Sequence, residues 1–250
     1  MTHSFLLIGQ SNMAGRGFLT EAAELDTQNG RIQVLRNGRW QSAYRPISTD
    51  RSFAGSCLAE DFAVAYAKAH PDVNVGLIPC ADGGTSLSQW AVGGLLFDNA
   101  VNCARLAMRT STLMGILWHQ GESDCTDEDY PLYRERLTAI LNALEEALGV
   151  ENIPILLGGL GDFLVANTEF DYLKNYTHIN RSLADMASAD PYMAFVSAEG
   201  LAGNPDNLHF SAAALREFGL RYYAEYEKIA TVAKASTTEA DAPRSKMELL

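Results

Sequence analysis

The chain has 250 residues, enough for one sizeable α/β domain and short for two. Apolar residues make up 47% of it and charged residues 20%, the balance of a folded globular protein rather than a disordered or fibrous one. A formal charge of −12 repels phosphate backbones, which argues against a nucleic-acid partner and favours neutral or cationic substrates.

No apolar stretch reaches the roughly 18 residues of a membrane span, so no membrane association is expected. The start, Met1-Thr2-His3-Ser4, lacks a basic segment, and the apolar run Phe5–Ile8 is too short for a secretion signal. A cytoplasmic location follows as the expectation. Cys57, Cys80, Cys103 and Cys125 form no CxxC pair, so reduced thiols are expected, with no metal site and no cofactor.

Five short runs rich in Ile, Leu, Val and aromatics punctuate the chain: Phe5–Ile8, Val73–Ile78, Leu113–Trp118, Ile153–Leu157 and Tyr192–Val196. Such runs predict strands buried on both faces. Between Phe5–Ile8 and Val73–Ile78, Arg31–Leu35 and Trp40 flank Asn37-Gly38, which predicts a hairpin with a type I′ turn decorating the main sheet. Helical spacing places Leu58, Phe62, Ala65 and Ala69 on one face. It does the same for Leu137, Ile140, Leu141, Leu144 and Leu148, and for Leu215, Phe218, Tyr222 and Tyr226. Strands alternating with amphipathic helices predict a flavodoxin-like three-layer α/β/α sandwich around a five-stranded parallel sheet of order 2-1-3-4-5. The domain is expected to span residues 1–233. Residues 234–250, rich in Ser, Thr, Ala, Glu and Pro, are expected to form a flexible tail.

Ligands of open parallel sheets bind beyond the carboxyl ends of the strands. Four segments fall there: Gly9-Gln10-Ser11-Asn12-Met13, Cys80 through Ser86 with Gly83-Gly84, His119-Gln120-Gly121-Glu122-Ser123-Asp124, and Asn204 through Ser211 with Asp206-x-x-His209. A serine in a tight turn, a di-glycine, a glutamine–glycine and an acid three residues before a histidine are the parts acyl transfer needs. A hydroxyl attacks poorly until a base takes its proton, and a neutral imidazole, with a pKa of about 6.5 when unperturbed, suits that task. Asp206 is close enough in sequence to fix the tautomer of His209. The Ser11 amide, the Gly84 amide and the Gln120 side chain are candidate donors to an oxyanion.

These four segments resemble the motif blocks of the sialate O-acetylesterase-like SGNH hydrolases, a group that includes carbohydrate esterase family six and its acetylxylan esterases. The resemblance runs from about Ser4 to Tyr226. It implies a flavodoxin-like fold, no metal, and removal of acetyl groups from sugars. It also implies Ser11, Asp206 and His209 as a triad, with Gly84 and Gln120 in the oxyanion hole. The asparagine of the wider superfamily's third block is replaced here by Gln120, as in this subfamily.

Each residue has a plainer reading. A serine in a Gly-rich turn is usually a turn residue, and a lone histidine before a helix is usually a cap. It is the joint placement of four blocks at four strand ends that favours catalysis. Gln10, Asn12, Glu122 and Asp162 are candidate supporting residues, with loop bracing the better reading of Asp162 and a structural role the better reading of Glu122 and Asp124. Trp90, on the loop after the di-glycine, is a candidate for stacking on a sugar ring. The substrate expected is a small or oligosaccharide acetyl ester. Two rivals stand beside this reading: an esterase or thioesterase for non-sugar acyl groups, and a flavodoxin-like binding protein, for which Gln10-Ser11-Asn12-Met13 is a poor phosphate cradle.

Overall fold

The computed structural model describes residues 1–231. The segment 234–250, expected as a tail, lies outside the described residues. Strand β1 (Thr2–Gly9) is the pivot of the sheet. It pairs in parallel with β4 (Asn74–Pro79) on one side and with β5 (Thr112–His119) on the other. Then follow β6 (Ile155–Gly158) and β7 (Met193–Val196), again parallel. The five expected strands thus stand in the expected order 2-1-3-4-5.

The sheet has seven strands rather than five. The predicted hairpin, β2 (Ile32–Arg36) and β3 (Arg39–Ser42), extends the main sheet on the outer edge of β4. Its turn residues Asn37 and Gly38 have φ of 50° and 73°, the positive pair a type I′ turn demands. Ile32 and Val34 point into the core, which makes β2 a full sheet member. Because β3 runs antiparallel to β2, the sheet is mixed, not all parallel.

Alternation along β1 builds the three layers. Leu6 and Ile8 pack with α3 (Leu95–Met108), α4 (Tyr133–Leu148) and α5 (Tyr176–Ala189) on one face. Phe5 and Leu7 pack with α2 (Leu58–Ala69) and α6 (Ala212–Ala230) on the other. Helices α4 and α6 bury the predicted faces. Helix α2 is rotated from its predicted face: it buries Ala59, Ala63, Tyr66 and Ala67 with Leu58 and Phe62, and leaves Ala69 exposed. Tyr66 sets this rotation by packing edge-on against Phe5 and Tyr226.

The end of β1 is fixed by close approach. A Cβ at Gly9 would lie 2.0 Å from the carbonyl oxygen of His119, and the Gly9 φ of +130° is one that side-chain-bearing residues rarely adopt. The chain can therefore cross tightly over β5 and turn at once into the four-residue helix α1 (Ser11–Ala14).

Candidate active site

Ser11 opens α1, directly past the carboxyl end of β1. Its Oγ lies 3.0 Å from Nε2 of His209. His209 sits on the loop between β7 and α6, and its Nδ1 lies 2.7 Å from Oδ2 of Asp206. The other oxygen of Asp206 accepts from the amides of Leu208 (2.9 Å) and His209 (3.0 Å). Burial pushes the Asp206 carboxyl up, but the bonds from the His209 ring and from these amides outweigh it and hold the group below the usual carboxylate range. The result is a continuous chain of carboxylate, imidazole and hydroxyl.

This chain opens into a cavity of about 380 Å³, lined among others by Gln10, Arg16, Arg51, Gly84, Glu122 and Tyr172. A larger hollow of about 450 Å³ between α2, α6 and residues 21–26 pairs no hydroxyl with an imidazole. Gly84 has a φ of +75°. Neither its amide nor that of Ser11 makes a backbone hydrogen bond among the described residues, so both are free to receive charge.

Asn12 ties the loops together. Its Nδ2 donates to Glu122 Oε1 (2.6 Å) and to the Leu208 carbonyl (3.2 Å), and its Oδ1 accepts from the Phe210 amide (3.0 Å). Gln10 Oε1 faces the amides of Gly121 and Ser123, both at 3.4 Å. Glu122 is buried beside His119, whose own pKa is lowered by burial against the opposing pull of Glu122. His119 is therefore a neutral core residue, with Nε2 on the Gly159 carbonyl. Asp162 accepts from Tyr176 Oη and the Gly200 amide, which braces its loop, and it does not line the cavity.

Two expected roles are corrected. Gln120 is fully buried, and its Nε2 donates to the Thr85 carbonyl (3.0 Å) and to Asp124. Both amide hydrogens are thus committed within the protein, so it braces the Gly84 loop instead of donating into the cavity. Asp124 completes that brace by accepting from the Leu87 amide. Burial raises the Asp124 pKa to about 6, against the opposing bonds from Gln120 and Leu87.

Trp90 is also fully buried. Its Nε1 donates to Thr85 Oγ1 at 3.1 Å, and its ring meets Trp118 edge-on. With its one polar atom satisfied, the indole is core and no surface for a sugar. Trp90→Ala should cost about 3–5 kcal/mol of stability, as expected for emptying an aromatic site. Urea unfolding measures this, and a loss under about 1 kcal/mol would contradict the packing.

The sequence reading missed the residues that shape the mouth. Phe53 is 69% exposed, with the Arg16 guanidinium 5.3 Å from its ring centre. Phe170 and Tyr172, both half-buried, line the same cavity. Arg16 and Asp50 form an ion pair with side chains only 6% and 3% exposed. Arg16 follows Ser11 by five residues, but Asp50, Arg51 and Phe53 lie in an irregular stretch whose sequence has no period.

A family model described as carbohydrate esterase, sialic acid-specific acetylesterase, matches residues 1–228. A probable carbohydrate esterase of Arabidopsis thaliana is 25% identical over 242 residues, covering 89% of each chain. The crystal structure of that plant protein superimposes with a TM-score of 0.76, covering 90% of this chain and 97% of the other. A carbohydrate acetylesterase from Xanthomonas citri shares the fold, with a TM-score of 0.66 at 17% identity, covering 92% of this chain and 56% of that one.

Proposed function

Because the chain belongs to the family of carbohydrate esterases described as sialic acid-specific acetylesterases, we propose that it removes O-acetyl groups from sugars through an acyl-enzyme on Ser11. The observation that carries this reading is the chain Asp206–His209–Ser11, with links of 2.7 and 3.0 Å, opening onto a cavity beside two unengaged amides.

In this mechanism Ser11 Oγ attacks the acetyl carbonyl carbon while His209 Nε2 takes the hydroxyl proton. Negative charge gathers on the former carbonyl oxygen, and the amides of Ser11 and Gly84 receive it. Collapse expels the sugar oxygen, which takes the proton back from His209. Water, deprotonated by the same imidazole, then attacks the acetyl-serine; collapse releases acetate, and Ser11 Oγ leaves with the proton returned by His209. Asp206 keeps the imidazole proton on Nδ1, so that Nε2 faces Ser11 as a base.

The sugar part of the substrate meets Phe53, Phe170 and Tyr172 in this reading, taking over the stacking role first given to Trp90. The acyl part is short. Of the apolar residues nearest the motifs, Leu87 and Phe97 belong to the core and Leu95 faces solvent at the start of α3. None of the three lines the cavity. Acetyl esters should therefore exceed butyryl esters by at least about tenfold in kcat/KM, since a methylene is worth about 1–3 kcal/mol in such discrimination.

Phe170, Leu173 and Leu208 also line the cavity, which favours a second reading, an esterase of longer acyl groups. A series of p-nitrophenyl acetate, butyrate and octanoate separates the two, and rates rising with chain length would select the second. Acetate release from a panel of acetylated xylan fragments, other acetylated sugars and O-acetyl sialic acids identifies the substrate.

Asp206 is held ionised below the ordinary carboxylate range, so its own protonation should add no step to the log kcat/KM profile at mildly acidic pH. A step in that range that Asp206→Asn abolishes would contradict this.

A further inference from the structure

The amide of Gly84 is useful to an oxyanion only if its N–H points into the cavity, and that N–H belongs to the same planar unit as the Gly83 carbonyl. In a trans peptide the two point in opposite directions. Whatever holds the Gly83 oxygen therefore aims the Gly84 hydrogen. Packing on the Gly84 side does not hold it, since a Cβ at Gly84 would meet nothing within 4 Å, whereas the Gly83 side lies against Arg16 and Asp50.

The Gly83 oxygen is held by Arg51, whose Nη2 donates to it at 2.9 Å. Arg51 is itself anchored at two further points. Its Nη1 donates to the Asp50 carbonyl at 2.8 Å and lies 2.9 Å from Asp82 Oδ1. The other end of the glycine is fixed too, since the Gly83 amide donates to Asp50 Oδ2 at 3.0 Å. Asp50 in turn takes both terminal nitrogens of buried Arg16, at 3.3 and 2.6 Å. The Arg16 carbonyl accepts from Asn204 Nδ2 at 3.0 Å, which reaches the loop of His209. Two arginines and one aspartate thus connect the nucleophile turn, the di-glycine and the histidine loop.

We propose that Arg51 is a positioning residue for ester hydrolysis: its guanidinium fixes and polarises the Gly83–Gly84 peptide, so that the Gly84 N–H is aimed at the developing oxyanion. The inference rests on the serine-esterase reading of this cavity. A cation on the carbonyl oxygen draws electrons from the amide nitrogen and makes its N–H a stronger donor. The effect belongs to the transition state, where the oxygen is charged, and much less to the bound ester.

The test compares the full chain with its Arg51→Ala and Arg51→Lys variants on p-nitrophenyl acetate. The Arg51 side chain is 41% exposed, so the fold should survive its loss, and melting temperatures check this. Arg51→Ala should lower kcat by about 10- to 100-fold, less than or equal to what outright loss of an oxyanion donor costs, with KM within about twofold. The inhibition constant of methylboronic acid, which forms a tetrahedral adduct on serine, should rise by the same factor as kcat falls. Added guanidinium ion at millimolar concentration should restore part of the lost kcat, and Arg51→Lys should lie between the two proteins. A residue that merely braces a loop predicts none of this parallel. Wild-type kcat in Arg51→Ala, or a loss confined to KM, or a kcat loss without a change in boronate binding, overturns the proposal. Should Ala loosen the fold, Arg51→Lys carries the same comparison. Failure of the underlying reading looks different: the wild-type protein itself would neither turn over the ester nor take a fluorophosphonate label at Ser11.

Discussion

Replacing Ser11 with Ala should lower kcat/KM on an acetyl ester by about four to six orders of magnitude, because nucleophile and base act as one unit. His209→Ala should be nearly as damaging, and the double variant no worse than the poorer single one. The fold should be untouched. The Ser11 hydroxyl makes its side-chain hydrogen bond to His209, and α1 is held by backbone bonds from Met13 and Ala14 to Gln10 and from Gly15 to Ser11. Melting temperature should therefore move little. A fluorophosphonate should label the native protein at Ser11 and leave Ser11→Ala unlabelled. Labelling that persists in the variant would remove the assignment, and losses that simply multiply in the double variant would separate the serine from the histidine.

Asp206→Asn should lower kcat by about 10³- to 10⁴-fold, although it changes one atom. The reason lies in how Asp206 is held. One of its oxygens already accepts from the amides of Leu208 and His209, so an asparagine will keep its carbonyl oxygen there. Its NH2 group then faces Nδ1 of His209. Two donors cannot share a bond, so the imidazole must move its proton to Nε2, the atom that should take one from Ser11. Glu122 is engaged elsewhere, with its Oε1 bound by Asn12 at 2.6 Å and lying 4.0 Å from His119 Nδ1. Kinetics across pH read this out. A variant within tenfold of wild type at neutral pH would show that the carboxylate does not set the tautomer.

Much of the fold was legible because strand signals are local. Apolar runs such as Leu6-Leu7-Ile8 announce a strand covered on both faces, and Asn37-Gly38 announces its turn. The face of α2 was less legible. Small residues such as Ala63 and Ala65 carry little directional signal, and the rotation is decided by Tyr66 meeting rings from β1 and α6. Within the site, Ser11, Asp206 and His209 could be read because each sits in a short motif at a strand end, and the structure brings them together. Gln120 and Trp90 were misassigned for a common reason. Their neighbours in sequence are polar loop residues, yet each finds its partner in Thr85, the one through its carbonyl and the other through its hydroxyl. The Arg16–Asp50–Arg51 group left no mark, because the two halves of the ion pair stand 34 residues apart and the stretch holding Asp50 follows no helical or strand period.

The position of β1 in the middle of the sheet has a consequence for how the chain is made. Its apolar core, Phe5 through Ile8, leaves the ribosome long before either neighbour, since β4 begins at Asn74 and β5 at Thr112. At about 5–20 residues per second, the strand waits several seconds with both edges unpaired. Open edges of that composition are templates for wrong pairing between nascent chains. Synthesis of this protein therefore passes through a window in which a strand buried in the finished sheet stands exposed, and a chaperone that shields the first apolar segment would act there, until α2 at Leu58–Ala69 is made and can cover one of its faces.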